Sequence, residues 1–174
     1  MPLHWFVAYV RSCQERRLSD VLSNLGVEHY LPVQVERRKW SDRIKVVDRL
    51  VLPGMMFIRT TEPQRVRLLQ DISLICRFMS KGGSYNPVRI PDGQMDDFRF
   101  MVSRSSGKVT VSSEKFLPGE KIEIASGPLK GFRCEIVRNC GELFVAVRLE
   151  MLGTAIVEVS AADIRKYVPS ESEN

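Results

Sequence analysis

The residues able to do covalent or proton-transfer chemistry are few and scattered. Asp96 and Asp97 form an acidic pair of the kind used in general acid–base work, but adjacent carboxylates on a helix point in different directions. No nucleophile or metal partner lies near them in the chain, so they read as solvent-facing charges. Cys13, Cys76, Cys134 and Cys140 include no C-x-x-C pair, and His4 and His29 are the only histidines, so neither zinc spacing nor a disulfide framework is present. The four cysteines read as small, reduced packing residues, and His29, just before an apolar strand, as structural. Lys81-Gly82-Gly83-Ser84 looks like a fragment of a phosphate loop, but Tyr85-Asn86-Pro87 follows where a helix would be required, which makes it a hairpin turn. No P-loop, G-x-G-x-x-G, G-x-S-x-G or H-E-x-x-H is found. The chain is therefore expected to be no enzyme and to need neither cofactor nor metal.

The chemistry that remains is charge. Arg11, Arg16 and Arg17 form one basic group, and Arg37, Arg38, Lys39, Arg43 and Lys45 another, with Trp40 inside it. A guanidinium suits phosphate and an indole stacks on an exposed base, so both groups are compatible with single-stranded nucleic acid. The distribution sharpens the point. The chain carries 26 Lys and Arg against 21 Asp and Glu over 174 residues. Residues 1–104 hold 17 basic and 11 acidic side chains, whereas residues 105–174 hold 9 and 10. All the positive excess lies in the first half, so any approach to nucleic acid belongs there. A composition 44% apolar and 27% charged suits a soluble globular protein. The longest apolar runs, such as Trp5 to Val10, are too short to span a bilayer, and no signal peptide is recognisable. The expectation is a cytoplasmic protein with no membrane partner.

The elements that must position these residues divide at the polar, serine-rich stretch Ser103 to Ser113. The division predicts a domain over 1–103, a linker over 104–115, a second domain over 116–168 and a tail over 169–174. In the first half, Trp5 to Val10 predicts a central strand covered on both faces. Leu18, Val21, Leu22 and Leu25 predict a helix that stops at Gly26. Tyr30 to Arg37 and Ile44 to Leu52 predict two extended segments around a Trp40-Ser41-Asp42 turn, and Met55 to Arg59 a further strand after Pro53-Gly54. A short helix near Val66 and Leu69, a strand over Leu74 to Met79 and a helix carrying Met95, Phe98, Met101 and Val102 complete an α+β domain with a mainly antiparallel sheet. The second half reads as four or five short strands punctuated by Gly127-Pro128, Asn139-Cys140-Gly141 and Gly153, a small all-β barrel with its edges closed.

Pro118-Gly119-Glu120-Lys121-Ile122-Glu123-Ile124 followed by Gly127-Pro128-Leu129-Lys130-Gly131-Phe132 resembles the KOW motif of transcription and ribosomal proteins, here through Gly119, Gly127, Pro128 and Gly131. The usual further glycine near Cys134 is absent. Leu52-Pro53-Gly54-Met55-Met56-Phe57-Ile58 is similar to the phenylalanine-proline-glycine-tyrosine strand of the NusG N-terminal (NGN) domain, with Met55 where an aromatic is usual. Together these features resemble the NusG superfamily over nearly the whole chain. Arg77-Phe78 and the stretch from Tyr30 to Leu52 are similar to the specialised RfaH and UpxY paralogs.

The resemblance implies a non-enzymatic elongation or antitermination factor that suppresses pausing or termination, at a subset of operons of the polysaccharide type. It implies docking on the RNA polymerase clamp helices through an apolar groove of Tyr9, Leu52, Met55, Phe57 and Phe78. It places Arg11, Arg16 and Arg17 toward non-template DNA, ahead of Arg37, Arg38, Lys39 and Trp40. For the barrel it implies a ribosomal protein or Rho, met through Leu143 to Leu149 and the Phe132 turn. The second polymerase contact of RfaH has no counterpart in Glu62-Pro63-Gln64-Arg65. The barrel is expected to rest in its β form, and the alternative reading is a ribosome- or RNA-associated KOW protein.

Overall fold

A computed structural model describes residues 1–82, 86–113 and 116–167. The first half is organised by β1 (His4–Val10), which is buried on both faces because aromatic, aliphatic and small apolar residues follow one another without polar alternation. Around it come α1 (Glu15–Asn24), β2 (His29–Tyr30), β3 (Val33–Lys39), β4 (Ile44–Leu50), β5 (Met55–Thr60), α2 (Glu62–Asp71), β6 (Ile75–Phe78), β7 (Arg89–Ile90) and α3 (Asp92–Arg104). The sheet runs β2-β5-β1-β6, with β7 also on β1, and every pair is antiparallel.

The period-2 alternation of β1 and β5 splits the core. Phe6, Ala8, Met56 and Ile58 face α1 and α2 through Leu18, Leu22 and Leu68. Trp5, Val7 and Phe57 face α3 through Met95, Phe98 and Met101. Each large side chain so buried contributes about 1.5–3 kcal/mol. The Thr61 hydroxyl caps α2 by accepting from Gln64 N, and Pro63 sits in the first turn, where its missing N–H costs nothing.

β3 and β4 form a separate two-stranded hairpin, in register from Val33↔Leu50 to Lys39↔Ile44, and Trp40 N donates to Arg43 O across its turn.

The second half contains β8 (Thr110–Ser112), β9 (Glu120–Ile124), β10 (Arg133–Asn139), β11 (Glu142–Leu149), β12 (Gly153–Glu158) and β13 (Ile164–Lys166) in the order β13-β9-β10-β11-β12-β8. The antiparallel sheet wraps a core of Ile122, Ile124, Val145, Val147 and Val157, so the unit rests in its β form. Its ladder ends at β13 and β8, with no hydrogen-bonded closure among the described residues. The unit is the small all-β domain expected for the second half.

Residues 104–113, expected as linker, are largely ordered into the fold. Arg104 is the last residue of α3, Val109 is fully buried, and Thr110–Ser112 pairs with β12. The cause is the apolar alternation of Val109 and Val111, which outweighs the serine-rich composition. The boundary at 114–115 and the tail over 169–174 lie outside the described residues. The two halves share one apolar cluster, in which Phe100 of α3 stacks on Phe132 at 4.9 Å. Glu150 N donates to Gln94 Oε1 across the same contact at 2.8 Å.

Cys13, Cys76 and Cys140 are exposed and only Cys134 is half-buried, so most of the cysteines are not the packing residues expected. His29 is structural, its ring bridging Ser19 Oγ and Val27 O. Ser80 pairs with Pro87, which brackets the expected turn, but residues 83–85 lie outside the described residues. Among the described residues no helix is long and apolar enough to cross a membrane, and no group of side chains has metal-site geometry.

Candidate nucleic-acid and protein interface

One backbone corner positions most of the candidate residues. Gly54 adopts φ +75°, and its carbonyl accepts from Val10 N at 2.8 Å. Its own N–H donates to Glu15 Oε1 at 2.8 Å, which explains why a carboxylate in the first turn of α1 is only 5% exposed. The end of β1, the start of α1 and the start of β5 are thereby held together. Glycine is required there because a left-handed φ is strained for any other residue.

Arg11 and Arg17 leave this corner on its outer side. With Ser12, Gln14, Val21, Asp71 and Leu74 they line an open cleft of about 620 Å³. Arg16 turns the other way and pairs with Asp48 of β4 at 3.0 Å, tying α1 to the hairpin. The three arginines therefore divide into two cleft residues and one hairpin anchor.

Alternation sorts the hairpin into two faces. Arg38 and Lys45 are directly opposite one another, and the Lys45 ammonium lies 5.9 Å from the Trp40 ring. Arg37 and Lys39 lie on the other face with Val35, Ile44 and Val46, which are 60–68% exposed. Arg37, Arg38, Lys39 and Trp40 are all exposed.

The expected apolar groove is not assembled as a unit. Tyr9, Leu52 and Met55 are half-buried, and Tyr9 and Met55 are register partners on the α3 side of the sheet. Phe57 is on that side too but fully buried, against Tyr30 and Phe98. Phe78 is 6% exposed on the opposite face, packed on Phe6. Phe78 is aligned with Ala8, whereas Arg77 is aligned with Tyr9 and its guanidinium lies 4.5 Å from the Tyr9 ring. Phe57 and Phe78 are thus core residues on two sides of one sheet. Arg77 replaces Phe78 beside Tyr9, a consequence of register with no signal in the local sequence.

In the second half, Gly119 lies against β10. A Cβ there would sit 1.7 Å from Ile136 O, and Gly119 N donates to the Glu135 carboxylate. Arg148 also holds Glu135, at 2.7 Å, and keeps its carboxyl below the usual range. Gly127 and Gly131 take φ +79° and +82° on either side of Pro128 and Leu129 in the turn before β10. The Phe132 turn, expected as a partner surface, is occupied by α3, and Phe132 is 6% exposed. At the same junction, burial and then neighbouring Asp96 raise the Asp97 carboxyl, and burial and then Asp97 push the Cys134 thiol up to about 12. A thiol held so far in its protonated form is a poor nucleophile.

Gln34, Asp48 and Arg49 have structural roles that the sequence did not disclose. Their one signal is strand alternation, which places Gln34 and Arg49 on the inward side of the hairpin base.

Residues 3–99 match the NusG family, described as transcription termination factor nusG. No curated protein matches the sequence. Among solved structures, one of Thermotoga maritima NusG that concerns its domain interaction covers 95% of this chain and 98% of that one, at 19% identity and a TM-score of 0.47. One of the MjSpt4:Spt5 complex covers 94% of this chain and 99% of that one, at 14% identity and a TM-score of 0.31.

Proposed function

The chain belongs to the NusG family, and from that premise we propose that it is a non-enzymatic transcription elongation factor that binds RNA polymerase through residues 1–103 and suppresses pausing or termination at a subset of operons. The observation that carries the reading is the family match over residues 3–99, which contain the sheet, the hairpin, α1, α2 and the first part of α3.

Tyr9, Leu52 and Met55 are the apolar residues proposed to meet the clamp helices. They are half-buried, share a margin of the sheet and are flanked by Arg77. Arg11 and Arg17 in the cleft, and the hairpin cations with Trp40, are proposed to face non-template DNA. The β-rich unit recruits a protein partner, ribosomal or Rho, as its near-neutral charge favours. A protein bridging the two sides of the polymerase cleft stabilises the closed enzyme by its differential affinity for that state, and this is how it suppresses pausing.

The test is binding of the full chain to purified RNA polymerase, together with pause lifetimes on a defined template. Met55→Asp places a charge on the proposed contact and removes about 1.5–3 kcal/mol of apolar burial, so affinity falls roughly tenfold to a hundredfold. Wild-type binding by Met55→Asp, or unchanged pause lifetimes with saturating protein, refutes the reading.

A further inference from the structure

The outer part of the β3–β4 hairpin stands clear of both cores, and every residue from Arg37 to Val46 is exposed. Its two faces differ in kind. On the face with Arg38 and Lys45, charge is answered locally: Glu36 pairs with Arg38 at 3.5 Å and with Arg49 at 3.6 Å, and Lys45 lies against Trp40. The opposite face is laid out by register in three ranks, Lys39 beside Ile44, Arg37 beside Val46, and Val35 beside Asp48. Arg16 neutralises Asp48 at 3.0 Å, whereas Arg37 and Lys39 have no ion-pair partner among the described residues. A row of unpaired positive charge on β3 therefore runs beside an aliphatic row on β4, and Val35 carries the aliphatic path across to β3. Val35, Ile44 and Val46 are 60–68% exposed. Threonine has the same branched shape and strand preference without the apolar surface, so strand propensity alone does not account for three contiguous aliphatic side chains in water.

The chemistry of this face selects its occupant. Aliphatic side chains offer no ring to stack on a base and no donor or acceptor to read one, and Trp40, the one aromatic residue of the hairpin, lies with Lys45. A second copy of the chain would set Arg37 and Lys39 against their own like charges. We propose that this face docks an amphipathic α-helix of a second protein, one with carboxylates along the side of an apolar stripe. Two residues of a strand advance about 6.6 Å, close to the roughly 6 Å between helix positions i and i+4. Successive apolar turns thus meet Ile44 and Val46 while the adjacent carboxylates meet Lys39 and Arg37. At the foot of the face an open hollow of about 340 Å³, between Ser19 and Asp20 of α1 and Tyr30 and Val33, leaves room for the end of such a helix. Arg37 and Lys39 attract phosphate and carboxylate alike, so the aliphatic residues, not the cations, distinguish this contact from the proposed DNA contact. The proposal goes beyond that contact and does not depend on it.

The test uses the full chain and a fluorescent 18-residue helical peptide with leucines one turn apart flanked by glutamates. Its controls are a scrambled peptide of the same composition and a version with lysine for glutamate. Anisotropy is expected to show the acidic amphipathic peptide binding about tenfold or more tighter than either control. Ile44→Thr with Val46→Thr is expected to abolish that advantage and to leave the urea-unfolding midpoint unchanged, because both side chains are exposed and threonine keeps the strand preference. Met55→Asp is expected to leave peptide binding unchanged, so loss of the polymerase contact and loss of this one are separable. An acidic peptide no better than its scrambled control overturns the proposal, as does an advantage that survives the double variant. The double variant is also examined with oligo(dT), with phosphatidylglycerol vesicles and by sedimentation of the chain alone. If it instead weakens oligo(dT) or vesicle binding about tenfold, or abolishes a dimer, the face belongs to nucleic acid, to a membrane or to a second copy, and the helix-docking proposal falls.

Discussion

Replacing Arg37, Lys39 and Lys45 by glutamine tests the electrostatics of the hairpin most directly. All three are exposed, and their aliphatic stems contribute little to either core. Stability should therefore change by less than about 0.5 kcal/mol, measured by urea unfolding. Binding to single-stranded DNA should change in a defined way. Each phosphate neutralised contributes about 0.7 to the slope of log K against log salt, so losing three contacts flattens the slope by about 2. Fluorescence anisotropy titrations between 50 and 300 mM salt, on the order of the range where such slopes are read, give it directly. Arg11→Gln with Arg17→Gln, in the cleft beside α1, should flatten the slope by about 1.4 on the same reasoning. A triple variant with an unaltered slope would show that the hairpin is a solvated surface and that its positive charge serves no phosphate. A slope lost together with stability would show instead that the cations act through the fold.

Four further outcomes follow from the packing and the titrations. Phe78→Ala should cost about 3–5 kcal/mol of stability, and its effect on polymerase binding should track unfolding, because the side chain is core and not groove. Gly119→Ala should destabilise the β-rich unit, since the new Cβ meets the Ile136 carbonyl; calorimetry should show that unit melting earlier while the first half is unchanged. Glu135 has a lowered pKa, held down first by Arg148. Its stabilisation is therefore complete above the usual carboxylate range and lost as pH falls through the lowered value, and acid titration of Glu135→Gln should lack that loss. Asp97 has the opposite sign: its pKa is raised, first by burial and then by Asp96, so its contribution to stability is complete at low pH and lost as pH rises through the raised value, and Asp97→Asn should remove that loss from the pH dependence of urea unfolding.

Much of the fold was legible because its strongest signals are local. The unbroken apolar run of β1, the helical spacing of Leu18 and Leu22, and the stripe from Met95 to Val102 each declare an element and the face it buries. Charge is also a property of composition, and the exposed cations at Arg11, Arg17 and the hairpin are where the basic clusters predict. Phe57 and Phe78 were misassigned to one surface for a different reason. Which side of a sheet a residue faces depends on the register with strands far away in the chain, and a one-residue offset exchanges Arg77 for Phe78 beside Tyr9. The serine-rich stretch misled because composition does not record that Val109 and Val111 have a strand to join.

By itself the chain determined which segments form strands and helices and where positive charge accumulates. Only the tertiary structure decided which aromatics are core, that α3 covers the Phe132 turn, and that Gln34 and Arg49 close on Val109 some 60 and more residues away. The physical reason is that element type follows from short-range backbone preference and hydrophobic period. Exposure, pairing and coupling, in contrast, are set by contacts between segments whose separation in the chain carries no record of their meeting.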